Sequence, residues 1–220
     1  LVEVTAQGEA TTGTAELLGA AASLGTPVAL VVTAPGGPEA PARVAAELGA
    51  ERVLVAESTQ AGSRLGVPVV DALCAAVDAV GPLAVLLAHS VDGRDVAGAV
   101  AARLGLGLAV DAVGVSRGAQ GLVAHHSVYG GAYDVDSTVT AGPPVITVRP
   151  GAVDARAEPR PLVLERLDVT PSGRRAARVD RVEPAAAGPS RPALQGADKV
   201  VAGGRGLGSK EQFGLVEELA

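Results

Sequence analysis

The residues with the clearest chemical potential lie near the end of the chain, in Gly203-Gly204-Arg205-Gly206-Leu207-Gly208. Glycines between a strand and a helix let an anion approach backbone N–H groups, because no side chain stands in its way. An arginine among them adds a permanent charge whose forked donors match phosphate oxygens. The block is not a P-loop, since Gly208 is followed by Ser209-Lys210, the reverse of Lys-Ser. Nor is it the dinucleotide fingerprint, because from Gly204 the spacing runs GxGxG. Spacing alone leaves two readings open: a phosphate cradle, or glycines that only make a tight strand-to-helix turn.

Other reactive side chains offer less. His89-Ser90 and Asp92 follow a predicted parallel strand, where open α/β sheets bind ligands. A nucleophilic triad needs convergence in space, which such close neighbours rarely supply, and Asp92 is expected to cap a helix with Arg94 and Asp95 in its first turn. His125 and His126 are adjacent on a predicted strand and point to opposite faces. Cys74 falls on the apolar face of a predicted helix, with no activating partner in its local sequence, and reads as a small core residue. The run Arg174-Arg175-Ala176-Ala177-Arg178 sits among acids and proline and reads as a solvated strand or a partner-facing edge. No catalytic residue and no metal-ligand set is assigned.

The elements that must position these residues alternate. Apolar spacing predicts helices over residues 12–24, 41–48, 69–80 and 93–104, several of them closed by a glycine. Between them lie strands at 28–32, 52–55 and 83–87, the last apolar throughout, as strands covered on both faces tend to be. The pattern predicts an α/β fold: a doubly wound, mostly parallel sheet with helices on both faces. Beyond Gly105 the rhythm changes to successive strands at 106–116, 121–129, 133–140 and 145–148, with Gly130-Gly131 as a hairpin turn. These form an antiparallel extension, and residues 162–167 could add one edge strand. A strand at 199–202, the glycine loop and a helix from Ser209, with Ser209 and Gln212 as a capping box, begin a second Rossmann-like α/β domain. The expected division is 1–183 for the first domain, 184–193 for a linker, and 194–220 for an incomplete second domain.

Composition sets the outer bounds. The 220 residues carry a net charge of −6 and only three aromatics, Tyr129, Tyr133 and Phe213. That balance argues against a nucleic-acid binder, which must neutralise phosphates or stack bases. A single cysteine favours a reducing, cytoplasmic compartment. No apolar run approaches the ~20 residues that span a bilayer, and the start shows no basic, apolar, cleavable leader. Leu1-Val2-Glu3-Val4 reads as the tail of a strand, and the chain is expected to be a piece of a longer one.

The stretch from Val200 to Phe213, with Leu215-Val216-Glu217-Glu218-Leu219-Ala220, resembles the opening of the flavin-binding domain of the electron transfer flavoprotein alpha subunit. The resemblance extends upstream through Asp92-Gly93-Arg94-Asp95-Val96, Ala101-Ala102-Arg103-Leu104-Gly105, Asp111, Val128-Tyr129-Gly130-Gly131 and Val148-Arg149-Pro150. It departs after Gly131, where the family usually has Asn and this chain has Ala132-Tyr133-Asp134. What the resemblance implies is an electron carrier, not a substrate-transforming enzyme. Such a carrier is a heterodimer holding one FAD, with AMP in the beta subunit and the alpha subunit's first domain packed on that partner. It takes electrons from acyl-CoA dehydrogenases and related enzymes of fatty acid oxidation and passes them to a membrane-bound quinone oxidoreductase or another acceptor. The resemblance makes Arg205 a flavin contact, with Gly204 and Gly206 beside it, and places the remaining flavin motifs beyond Ala220. A different class, a free-standing nucleotide-binding hydrolase or transferase using the loop after Leu87, stands as the alternative.

Overall fold

Short aliphatic segments separated by helices leave the backbone one efficient solution, a parallel ladder covered on both faces. The computed structural model describes residues 1–5, 8–183 and 199–219; the linker expected at 184–193 lies outside the described residues. The chain divides into two compact units, Leu1–Asp180 and Arg181–Ala220.

In the first unit, helix α1 (Gly13–Leu24), strand β1 (Val28–Thr33), helix α2 (Glu39–Glu47), strand β2 (Arg52–Glu57), helix α3 (Val67–Val80), strand β3 (Val85–Ala88) and helix α4 (Val91–Leu104) follow in turn. Strands β4 (Leu108–Ala112), β5 (Gly114–Gly118), β6 (Gly121–Val128), β7 (Tyr133–Thr138), β8 (Val145–Val148) and β9 (Leu164–Arg166) come after. The order β1-β2-β9 forms one parallel sheet, with β9 on its edge, and β3-β8-β4 a second. The first residues join them: Leu1 N donates to Leu86 O (2.8 Å) and Val2 N to Leu30 O (2.9 Å). The third sheet, β5-β6-β7, is antiparallel.

Alternation along the strands sorts the core into two layers. Leu30, Val32, Leu54, Ala56, Val85 and Leu87 pack with α3 and α4 on one face, where Cys74 also lies. Ala29, Val31, Val53 and Val55 pack against α2, while Leu86, Ala88, Ile146 and Val148 meet Leu17 and Ala20 of α1. Burial raises the Cys74 thiol above its ordinary value, which suits a packing residue and not a nucleophile. The parallel, doubly wound sheet with an antiparallel extension is thus as the residue pattern predicts.

Four expectations change. The strand predicted over 106–116 is two strands, β4 and β5, parted at Val113, just after Asp111 adopts a left-handed backbone (φ 58°) and the register with β8 shifts between Ala109 and Ala112. In the second unit, residues 199–202 form no strand, since no described strand offers them a ladder. The helix expected from Ser209 instead begins as a 3-10 turn, Glu211–Phe213, and becomes α-helical only as α5 (Gly214–Leu219). The Ser209 hydroxyl bonds the Glu211 carboxylate, the interaction that most lowers that acid, in place of the capping box with Gln212.

Glycine at two helical positions separates packing from propensity. A Cβ at Gly19 would lie 1.9 Å from Ala155 O, whereas one at Gly98 would meet nothing within 4 Å. Gly19→Ala is expected to destabilise the fold by about 1–3 kcal/mol through forced backbone movement. Gly98→Ala should be neutral or stabilising by about 0.5–1 kcal/mol. Denaturant unfolding of the two variants checks both signs.

Candidate functional site

Where β3, β8 and β4 end, three short strands deliver polar side chains to one corner. Thr147, fully buried on β8, accepts the Asp111 N–H at Oγ1 (3.0 Å), and the same oxygen lies 2.9 Å from His89 Nδ1. If the Thr147 hydroxyl donates to His89 Nδ1, the imidazole proton rests on Nε2, 3.9 Å from Asp111 Oδ1. Arg149 grips the Asp111 carboxylate with both arms, Nε at 2.9 Å and Nη2 at 2.7 Å, and Nη2 also donates to Ser127 O at 3.0 Å. The Arg149 hydrogen bond is the main reason the Asp111 carboxyl is held below the ordinary range; partial burial opposes it, and the Arg149 charge assists.

The corner is therefore a clamp. Each group is occupied by another, and together they fix the point where the chain leaves the parallel sheet for the antiparallel one. Asp111 and Arg149 carried only a family likeness in sequence, and their pairing across 38 positions had no local signal.

The Ser90, His89 and Asp92 trio is not assembled. Ser90 Oγ accepts the Gly93 N–H (2.8 Å) and donates to Glu3, so Ser90, and not Asp92, caps α4. His125 and His126 do point to opposite faces: the first bonds Asp136 (2.6 Å) and Ser116 (2.8 Å), the second Ser137 (2.7 Å). Among the described residues, no group of three His, Cys, Asp or Glu side chains could hold a metal.

In the second unit the glycine block is a built turn. Gly203 is pinned beneath apolar side chains: a Cβ there would fall 2.5 Å from Leu207 Cδ1, 2.8 Å from Val216 Cγ2 and 3.0 Å from Phe213 Cε2. The chain then winds into a 3-10 turn, Arg205–Leu207, closed by Leu207 N to Gly204 O (3.0 Å) and Gly208 N to Arg205 O (3.1 Å). Gly208 at φ 78° ends it in a conformation that favours glycine. At the start of such a turn the first peptide N–H groups have no acceptor within the turn. Those of Arg205 and Gly206 are in this position. Nothing lies within 4 Å of a Cβ built on Gly204 or Gly206, and Arg205 is exposed between them. The loop thus combines amides without an acceptor among the described residues, open approach and one guanidinium, the set an anionic group needs.

The clamp generates a pH expectation. Asp111 has a lowered folded-state value, so its contribution is complete above the ordinary aspartate value of about 4 and is lost as pH falls through the folded value. Arg149→Ala should lower the melting temperature at pH 7 by a few degrees, and the gap to the native protein should close in acid. A gap that stayed constant down to pH 2 would remove the pair from the account.

The profile of the electron transfer flavoprotein domain matches residues 1–187. The electron transfer flavoprotein subunit alpha of Mycobacterium leprae is 42% identical over 206 residues, covering 94% of this chain and 64% of that protein. The protein of the same description from Mycobacterium tuberculosis is 42% identical over 207 residues, with the same coverage of 94% and 64%. That of Syntrophomonas wolfei is 35% identical over 214 residues, covering 94% of this chain and 65% of the relative. The chain spans a little under two-thirds of the length of these relatives.

Proposed function

This chain belongs to the electron transfer flavoprotein family, and we propose that it is part of the alpha subunit of a heterodimeric, FAD-containing electron carrier. The observation that carries the reading within the chain is the Gly203–Gly208 turn, with an exposed Arg205 flanked by two glycines whose surroundings are open. Arg205 and the amides beside Gly204 and Gly206 would hold an anionic part of the FAD. Bound flavin supplies the electron-accepting and electron-donating chemistry. The residues here bind and orient it; a guanidinium at a phosphate fixes position and neutralises charge, and makes no bond to a reacting atom.

The partner in this reading is the beta subunit, itself carrying AMP. Two of the chain's three aromatics support a covered surface: Tyr129 and Tyr133 stand edge to face, 85% and 63% exposed, on the β6–β7 hairpin. Aromatic side chains are enriched in the buried centres of protein interfaces. Electrons would come from acyl-CoA and related dehydrogenases and leave to a quinone oxidoreductase or another acceptor. The chain is proposed to be a cytoplasmic carrier, not an enzyme acting on a substrate, and not a nucleic-acid binder. Among the described residues, no helix is long and apolar enough to cross a membrane. The hydrolase or transferase alternative finds no support in the Ser90 region, whose hydroxyl is committed to Glu3 and Gly93.

The test is flavin retention. The full-length protein produced with its partner should carry the visible absorbance of bound flavin. Arg205→Ala should weaken FAD binding by about 10- to 100-fold, the size of one lost charge-assisted contact, while Arg205→Lys should recover part of the loss. Unchanged affinity in Arg205→Ala would remove Arg205 from the flavin site.

A further inference from the structure

A cavity of about 1000 Å³ opens in the first unit beside Val32, Leu1–Val4 and the first turn of α4. This is the carboxyl edge of the parallel strands. From the first residues the chain proceeds to β1 and β2 on one side, and then to β3 on the other. Open α/β sheets take ligands at such a reversal, and the volume is that of a small-molecule site.

The charged groups around it sort into committed and free. Glu3 accepts from Ser90, and Arg103 is tied to Asp71 at 2.5 Å. Arg64, Arg174 and Arg175 line the cavity and pair with no carboxylate among the described residues. They stand on two backbone segments laced together, Leu65 N to Ala177 O (3.0 Å) and Val179 N to Ser63 O (2.9 Å). The segment bearing Arg174 and Arg175 is further anchored by Ser172 N on the buried Asp71 carboxylate (2.9 Å). Asp92, on the first turn of α4, and Asp95, at the start of the next, also line the cavity.

This distribution fixes the polarity of a ligand. The amino end of α4, where an anion would ordinarily settle, already has Gly93 N–H satisfied by Ser90 and carries two carboxylates. An anionic group is repelled there and drawn to the three arginines. Hydroxyl donors are drawn to Asp92 and Asp95, and Val67, Val69 and Val96 supply apolar wall. A mononucleotide carries all three features: a phosphate, a ribose diol and a flat base. We propose that this cavity binds a nucleoside monophosphate, with the phosphate on Arg64, Arg174 and Arg175 and the ribose hydroxyls donating to Asp92 and Asp95. The proposal rests on residues of the first unit alone and does not depend on the flavin reading.

Equilibrium dialysis of the full-length protein with its partner subunit, loaded with FAD, against labelled AMP tests the assignment. Any nucleotide held elsewhere is common to all variants. The double variant Arg174→Glu, Arg175→Glu should lose one equivalent of AMP or bind it more than about tenfold more weakly, with its melting temperature unchanged because both side chains are exposed. Asp95→Asn should weaken AMP while leaving inorganic phosphate binding as it was. Should the double variant fail to fold, Arg64→Ala reads the same loss. Equal AMP binding in the native protein and the arginine variants overturns the proposal. Inorganic phosphate binding as tightly as AMP also overturns it, for then the arginines are an anion patch and not a nucleotide site.

Discussion

The hydrogen bonds of the first two residues hold the parallel half of the molecule together. Leu1 and Val2 occupy the gap between β1 and β3, one donating to Leu86 and the other to Leu30. Without that insertion the β1-β2-β9 and β3-β8-β4 sheets would each expose an edge, and the alternating faces that seat α1 and α2 on one side and α3 and α4 on the other would not form one surface. Buried edges demand partners, because an unpaired backbone group away from water costs as much as a lost hydrogen bond. The insertion also sets the point of reversal, and so places the carboxyl-edge cavity beside Val32 and the start of α4.

A second constraint governs the exit from that sheet. The left-handed backbone at Asp111 is uncommon outside glycine, though aspartate tolerates it better than most residues, and its surroundings hold it there. Thr147 holds its N–H, Arg149 holds both carboxylate oxygens, and the same arginine reaches Ser127 on β6. One aspartate therefore couples the parallel β8 to the antiparallel β6. From there the chain passes through Val113 and Gly114 into the β5-β6-β7 sheet, with its exposed tyrosine hairpin.

What could be read from the sequence follows the range of the forces involved. Helices and parallel strands were legible because apolar periodicity and glycine stops are local signals. Gly81 and Gly105 do close α3 and α4 in left-handed conformations. The left-handed turn at Asp111 was not legible, since the groups that hold it lie 36 and 38 positions away in Thr147 and Arg149. Ser90 looked like a possible nucleophile and Asp92 like the cap; the assignment reversed because Glu3, 87 residues upstream, takes the Ser90 hydroxyl proton. For 199–202 the aliphatic run gave strand propensity, but a strand exists only as a paired ladder, and no described neighbour supplies one. The glycine turn was recognisable in place and composition. That Gly203 serves packing while Gly204 and Gly206 leave access emerged only from the contacts each would make.

Charge shows the same limit most sharply. A net of −6 describes the chain as acidic, yet electrostatic attraction between exposed groups is screened within about 8–10 Å in physiological salt. A ligand therefore responds to the few charges near it. Arg64 is separated from Arg174 and Arg175 by more than a hundred positions, and a run of arginines among acids looks like a solvated edge when read along the chain. The fold brings the run to Arg64 through the Leu65–Ala177 and Val179–Ser63 ladder, while Asp71 holds the segment down. Burial alone would raise the Asp71 carboxyl, but the Ser172 N–H and the Arg103 guanidinium outweigh it and keep the group ionised. Arg178 on that segment pairs with Asp180, while Arg174 and Arg175 have no carboxylate partner among the described residues, since the buried acid beneath them is bound to Ser172 N–H and Arg103. Their charge stays available at the cavity because the structural acid beneath them is already satisfied.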